Sequence, residues 1–355
     1  MKKPICVMAG GTGGHIFPAL AVAEELVSRG EVVHWIGSRY GLEKKLVPEK
    51  SIPIHFLAAR GLRGKNGLER IIGAICLAVS IIQAIVLMLR LRPSVCVGFG
   101  GYPAGPAGIA ARLMKVPVVI HEQNAVVGMT NRYLAKFSAR VLTAFPDVLE
   151  GAECVGNPIR TEIDAVGRQR LADGCQPTET TRVLVIGGSQ GAKALNERLP
   201  KKLKEVATHF GIEVTHQTGL TAQNQVVEQY QALDLEATVV AFISRMDDAY
   251  SGADIVVCRA GALTVSELAS AAMPSVLIPF PHAVDDHQIK NGERLREAGA
   301  AVVVQEKDLD IFVAKLSDIL RAPEKLTQMA RAARSVAKPE ATKKVADCVL
   351  EIARG

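Results

Sequence analysis

The stretch from Ile5 to Gly30 constrains the fold of this 355-residue chain more than any other. It runs from the apolar segment Ile5-Cys6-Val7-Met8-Ala9 through Gly10-Gly11-Thr12-Gly13-Gly14-His15. It then enters a segment with Leu20, Val22, Ala23, Leu26 and Val27 at helical spacing. An apolar strand that turns through glycines into an amphipathic helix is the opening unit of a parallel α/β sheet. Such a turn aims unpaired N–H groups and the positive end of a helix at one point, a ready anion site. Four glycines in five positions, with a threonine and a histidine beside them, favour a ligand site over an ordinary tight turn.

The loop departs from both common phosphate fingerprints. Gly11-x-Gly13 begins a dinucleotide pattern, but Ile16 stands where the third glycine belongs. No acidic residue closes the second strand, Val32 to Arg39, where a dinucleotide fold holds a ribose. A Walker loop ends in Gly-Lys-Ser/Thr, and His15 occupies the lysine position. The expected ligand is phosphorylated but is held in the manner of neither NAD nor ATP.

Strand-like and helical runs alternate along the whole chain, which predicts parallel α/β architecture. Strands are expected near 4–9, 31–36, 94–98, 117–121 and 140–143. After Val155-Gly156-Asn157-Pro158, the polar stretch from Thr161 to Thr181 reads as a hinge and linker. A second series follows near 183–186, 212–216, 238–242, 254–257, 275–278 and 301–304, and its first strand also ends in glycines, Gly187-Gly188-Ser189-Gln190-Gly191. Two series that each open on a glycine loop predict two Rossmann-like parallel-sheet domains facing a cleft. The length allows two full cores.

Charge separates the two halves. Residues 1–160 hold 19 Lys/Arg against 10 Asp/Glu, or +9; residues 161–355 hold 23 against 26, or −3. A basic half points to an anionic partner. Nucleic acid is disfavoured, because aromatics are only 4% and no Lys/Arg tract alternates with them. The seven cysteines form no C-x-x-C and read as reduced core residues of a cytosolic chain, and the N-terminus enters a strand directly, with no signal peptide expected.

The segment Ile71 to Leu89 has 19 residues without a charge, about 28 Å as a helix. That is enough to span a bilayer. Yet the strands on both sides belong to one expected sheet, and basic residues flank both ends (Arg60, Arg63, Lys65, Arg70; Arg90, Arg92). A helix on a sheet buries one stripe, so the outer face of this one is expected to lie in the interface of an anionic membrane.

Polar residues gather at other expected strand ends. Gly98-Phe99-Gly100-Gly101-Tyr102-Pro103 forms a second glycine loop, and the next strand ends in His121-Glu122-Gln123-Asn124. Open parallel sheets place their ligands at that edge. In the second half, Cys258-Arg259-Ala260-Gly261-Ala262-Leu263-Thr264-Val265-Ser266-Glu267 is a small-residue turn into a helix. Glu267, one turn in, suits the two hydroxyls of a ribose. His282, Asp285, Asp286 and His287 match no zinc spacing, so no metal is expected there.

Taken in order, GGTGGH, GFGGYP, HEQN, GNP-IR, GGSQGA, RAGALTVSE and HAVDDHQ resemble one family across nearly the whole chain. It is the bacterial peptidoglycan glycosyltransferase family that adds N-acetylglucosamine to undecaprenyl-diphospho-muramoylpentapeptide, converting lipid I to lipid II. The resemblance implies a GT-B fold with an acceptor domain over 1–160, a donor domain over 161–340, and a last helix within 341–355 packed back on the first. It implies that Ser189 meets a donor phosphate, that Ile243 and Arg259 lie by the uracil, and that Glu267 holds the ribose. Ala262, Leu263 and Thr264, continuing into Val265 and Ser266, would sit by the diphosphate and sugar. Asn124 and Gln288 would meet the N-acetylglucosamine, and Arg160, Thr12, Gly13 and Gly14 complete the donor set. His15, Gly100, Gly101 and Tyr102 would face the acceptor diphosphate.

The reaction implied is a single displacement with inversion, from UDP-N-acetylglucosamine to the muramoyl 4-hydroxyl, with no cofactor beyond the substrates. His15 is the first candidate for the base, since histidine titrates near neutrality; Glu122 is the second. The expected location is peripheral, on the cytoplasmic face of the inner membrane. An oxidoreductase would explain the paired Rossmann-like domains but lacks the third glycine and the ribose acid. A lipid- or nucleic-acid-binding module would leave the polar strand ends without a purpose. Tight UDP binding without a response to NAD(P) separates the transferase from both.

Overall fold

The computed structural model describes residues 2–59, 67–174, 179–188, 191–283 and 286–355. Two compact units result, Met1–Ile159 with Pro339–Gly355, and Arg160–Lys338. The first runs β1 (Ile5–Ala9), α1 (Gly13–Ser28), β2 (Val33–Ser38), α2 (Glu43–Glu49), β3 (Ile54–Leu57) and α3 (Gly67–Leu91). It continues with β4 (Val95–Gly100), α4 (Ala104–Leu113), β5 (Val118–Glu122), α5 (Met129–Leu134), β6 (Arg140–Thr143) and β7 (Glu153–Cys154). The second runs α6 (Thr161–Asp173), β8 (Thr181–Ile186), α7 (Lys193–Ala207), β9 (Ile212–Gln217), α8 (Gln223–Ala232), β10 (Ala237–Val240) and α9 (Met246–Ser251). After these come β11 (Ile255–Cys258), α10 (Ala262–Ser270), β12 (Ser275–Leu277), α11 (His287–Glu297), β13 (Ala301–Val303), α12 (Phe312–Leu320) and α13 (Pro323–Ser335). The last helix, α14 (Ala341–Arg354), belongs to the first unit.

Every strand pair is parallel. The sheet orders are β3-β2-β1-β4-β5-β6-β7 and β10-β9-β8-β11-β12-β13. β1 lies between β2 and β4 with all five residues buried, which is why its sequence is continuously apolar rather than alternating. Val7 and Ala9 pack with Ile16, Leu20 and Ala23 of α1 and with Val345 and Val349 of α14. Cys6 and Met8 pack on the other face with Ala84 and Met88 of α3 and Ala107, Ala110 and Ala111 of α4. In the second unit Val183 and Val185 of β8 meet Leu195, Leu199 and Leu203 of α7.

Three elements depart from expectation. β3 is half-exposed at one edge and β7 has two residues at the other, so neither carries an apolar run. Thr161–Asp173, the first part of the stretch expected as a linker up to Thr181, is instead the helix α6, packed on α9, α10 and α13, while residues 175–178 of that stretch lie outside the described residues. Its first turn holds Glu162 and Asp164, where carboxylates complement the helix dipole, but its buried residues are Ile163, Asp164 and Gly167, so no apolar stripe announces it. Gly167 allows close approach: a Cβ there would stand 1.8 Å from the Ser270 carbonyl oxygen. Arg168 and Arg334 neutralise the buried Asp164.

α3 is long and apolar enough to cross a bilayer by length and composition. Ser80 and Ala84 and Met88 bury one stripe, and α4 covers it. The opposite stripe, Ile72, Ile75, Val79, Ile82, Val86 and Leu89, is exposed at each position, with steps of three and four residues. Of the segment's two polar side chains, Ser80 Oγ donates to the Cys76 carbonyl and Gln83 Oε1 accepts from the Ala58 N–H. Arg60, Arg63 and Lys65 lie outside the described residues.

Candidate active site

In the first unit, the carboxyl ends of β1, β4 and β5 bring two glycine loops and a polar strand end together. α1 starts at Gly13 with Thr12 in extended conformation ahead of it, and the His15 and Ile16 N–H groups donate to the Thr12 carbonyl. The N–H groups of Gly13 and Gly14 therefore open the helix without partners inside it. Gly101 holds φ at +80°, and a Cβ on it would stand 2.0 Å from the Gly10 carbonyl oxygen. The two loops thus pack backbone to backbone, which glycine alone permits. Tyr102 beside them is exposed.

His15 is half-buried; its ring lies against Gly100, and its Nδ1 is 2.8 Å from Gln123 Oε1. His121 is fully buried, with Nε2 2.8 Å from the Gly156 carbonyl, and burial pushes its imidazole down to about 4. Glu122 is buried as well and takes four donors: the Asn124 N–H and Nδ2, the Gly128 N–H and Asn131 Nδ2, at 2.9–3.2 Å. That carboxylate shapes the turn from β5 into α5, and the Asn124 side-chain amide is drawn onto it.

The acid that is missing from the end of β2 sits five residues beyond Ser38. Glu43 is buried; one oxygen accepts from the Ser38 N–H and Oγ at 2.8 Å, the other from the Gly11 N–H at 3.1 Å. It braces the first glycine loop from beneath rather than offering itself to a ribose.

In the second unit, Gly261 precedes α10, so Ala262, Leu263 and Thr264 form its first turn; the Val265 N–H already donates to the Gly261 carbonyl. Val265 is buried and Ser266 Oγ donates back to the Ala262 carbonyl, so both side chains support the helix. Glu267 is 7% exposed. Its Oε1 accepts from Arg160 at 3.3 Å and its Oε2 from the Tyr250 hydroxyl at 3.2 Å. Burial pushes its pKa up, while the Arg160 charge and the two hydrogen bonds pull it back.

Arg259 donates to the Ile278 and Pro279 carbonyls at 3.1 and 3.2 Å, pairs with Glu306, and lies 5.4 Å from the centre of the Phe280 ring. The Ile243 N–H donates to Gln217 Oε1 at 3.1 Å, and Gln288 Oε1 accepts from the Phe280 N–H at 3.0 Å. Ser189 and Asp285 lie outside the described residues. Glu43, Asn131, Gln217, Tyr250 and Glu306 are not among the residues expected from the sequence, yet the structure bonds each of them to one that is or to the first glycine loop: Gly11, Glu122, Ile243, Glu267 and Arg259 respectively.

Residues 5–143 match the glycosyltransferase family 28 N-terminal domain, and residues 182–347 match the glycosyltransferase family 28 C-terminal domain. The chain is 46% identical over 361 residues to the UDP-N-acetylglucosamine–N-acetylmuramyl-(pentapeptide) pyrophosphoryl-undecaprenol N-acetylglucosamine transferase of Pseudomonas fluorescens, covering 100% of each. It is 47% identical over 363 residues to the protein of the same name from Pseudomonas aeruginosa (strain LESB58), again covering 100% of each. Among solved structures it is similar to MurG of Acinetobacter baumannii, at 38% identity and a TM-score of 0.84, covering 98% of this chain and 99% of that one. Its two parallel α/β units are those of the GT-B class. The chain belongs to glycosyltransferase family 28 and, within it, to the family of these N-acetylglucosamine transferases.

Proposed function

We propose that the protein moves N-acetylglucosamine from UDP-N-acetylglucosamine to the muramoyl 4-hydroxyl of undecaprenyl-diphospho-muramoylpentapeptide, turning lipid I into lipid II for peptidoglycan synthesis. The observation that carries this reading is 46–47% identity, over the full length of each chain, to relatives named for that transfer.

The acceptor oxygen attacks the anomeric carbon as the bond from that carbon to the UDP oxygen breaks, so an α donor gives a β product. His15 Nε2 takes the hydroxyl proton. Its Nδ1 is engaged by Gln123, and Nε2 is the remaining nitrogen. Glu122 is the weaker candidate, since four donors already hold its carboxylate in the turn. The electron pair leaves on UDP, whose new charge is met by the N–H groups of Leu263 and Thr264 at the start of α10. Each Glu267 oxygen keeps lone-pair capacity beyond its one protein donor, enough for the two ribose hydroxyls.

No cofactor enters this scheme, because helix N–H groups supply the stabilisation that a divalent cation supplies elsewhere. Transfer is therefore expected to continue in excess EDTA. The exposed stripe of α3 and the basic residues of the first unit dock the protein on the anionic cytoplasmic face of the inner membrane. The deciding experiment supplies UDP-N-acetylglucosamine and a synthetic lipid I analogue. Appearance of the disaccharide product is expected, and NAD(P) has no effect. Absence of transfer to that acceptor overturns the reading.

A further inference from the structure

Two carbonyl groups, far apart in sequence, fix the protons behind His15. Gln123 is buried, and its Nε2 lies 2.8 Å from the His121 carbonyl oxygen. A carbonyl only accepts, so this end of the amide is the NH2 group. Its other proton reaches His121 Nδ1 at 3.1 Å. The opposite end, Oε1, then faces His15 Nδ1 at 2.8 Å and demands a proton on that nitrogen. Starting instead from the Gly156 carbonyl, His121 Nε2 must donate, which leaves His121 Nδ1 as the acceptor that the Gln123 amide needs. The two assignments agree where they meet. Burial keeps the His121 ring neutral, as this pattern requires.

We propose that Gln123, backed by His121, is a positioning residue that holds neutral His15 in its Nδ1–H tautomer and so presents the Nε2 lone pair to the acceptor hydroxyl. The inference rests on His15 being the base. A free histidine prefers the other tautomer, in which the lone pair sits on Nδ1 and Nε2 cannot accept a proton. The other ionisable groups about this ring are Glu122 and His121 at the end of β5, Tyr102 beyond Gly101, and Glu43 beneath Gly11. Glu122 is committed to Asn124, Gly128 and Asn131, and Glu43 to Ser38 and Gly11. Gln123 is the partner that sets the tautomer.

The direct test is 15N NMR of the imidazoles in the wild-type chain, above the titration of His15. Protonated Nδ1 and bare Nε2 are expected; a resonance pattern with the proton on Nε2 overturns the proposal. Kinetics supply the second arm. Gln123→Met should lower kcat by roughly tenfold or more at an unchanged donor KM, and should move the acid limb of the kcat profile to lower pH. The cause is loss of the oxygen that stabilises the imidazolium. Gln123→Glu places a carboxylate on Nδ1 and should move the same limb up by about one pH unit. Opposite displacements from one position are not what a packing role produces, and two variants with wild-type kcat and limb sink the idea. His15→Ala with near-normal kcat would instead remove the base reading, while the tautomer seen by NMR stands or falls by itself.

Discussion

His15 and Glu267 carry opposite demands on charge. If His15 takes the acceptor proton, His15→Ala lowers kcat by ~10²–10⁴ and leaves donor affinity nearly intact, and a near-wild-type kcat moves the role elsewhere. Glu267 must be ionised to accept from a ribose, yet burial raises its pKa and the Tyr250 hydroxyl opposes that rise. Glu267→Ala should therefore weaken UDP binding by about 1.5–3 kcal/mol and narrow the preference for ribose over 2′-deoxyribose. Tyr250→Phe should leave binding nearly normal at high pH but make it fail sooner on acidification, because the carboxyl then takes its proton at higher pH. Calorimetric titration with UDP across pH reads both; unchanged affinity and discrimination in the alanine variant would remove Glu267 from the site. These two residues were legible because each stands at the end of an apolar strand or one turn into the helix that follows it. Glu43 and Tyr250 were not. Glu43 reaches back 32 residues to the Gly11 N–H, and Tyr250 reaches 17 forward to Glu267, contacts that no local pattern encodes.

At the level of helices, the contrast between α3 and α6 shows what periodicity can reveal. α3 is apolar on all sides, so its sequence announces a helix and an outer face without an obvious protein partner. The structure supplies the stripe itself, Ile72 to Leu89 in steps of three and four. α6 buries an aspartate and a glycine, so its packing depends on Arg334, Arg168 and a close approach to Ser270, none of which is a hydrophobic signal. The same reasoning covers the strands: buried central ones are continuous apolar runs, whereas β3 and β7 at the edge are not. Membrane docking is tested on the stripe. Binding to anionic vesicles should weaken with salt as the basic residues are screened, each worth about 1 kcal/mol near the surface, but should not vanish. Ile75, Val79 and Ile82 changed to Ser should remove much of the salt-resistant remainder, with UDP affinity retained. Co-sedimentation over a salt series decides it. Wild-type protein that ignores anionic vesicles at low salt defeats the proposal.

Each of the two units hides a neutral histidine, and together they set how the fold responds to acid. Burial pushes His121 in the first unit and His216 in the second down to about 4, from an ordinary value of 6.5. The half-buried pair His34 and His55, in contact at 2.9 Å, is shifted in the same direction. Unfolding frees these rings to take protons that the native state refuses. The unfolded chain therefore binds more protons below pH 6.5, and stability falls as the pH drops from about 6.5 towards about 4. The loss is of order 3 kcal/mol for each fully buried ring. Glu267 works the other way, since a carboxyl with a raised pKa takes its proton earlier in the folded state and returns a little stability as the pH falls. The histidines win, because two of them are fully buried and Arg160 limits the rise at Glu267. His216 is the cleaner site to test, standing apart from the proposed chemistry with Nδ1 on the Tyr230 hydroxyl at 3.0 Å and a buried Nε2 without a bond. Replacing both partners, His216→Leu with Tyr230→Phe, avoids stranding either polar atom. Urea midpoints measured at pH 7.5 and pH 5 should drop clearly for the wild type and distinctly less for the double variant. Equal drops in the two proteins would show that His216 already carries its proton in the folded chain.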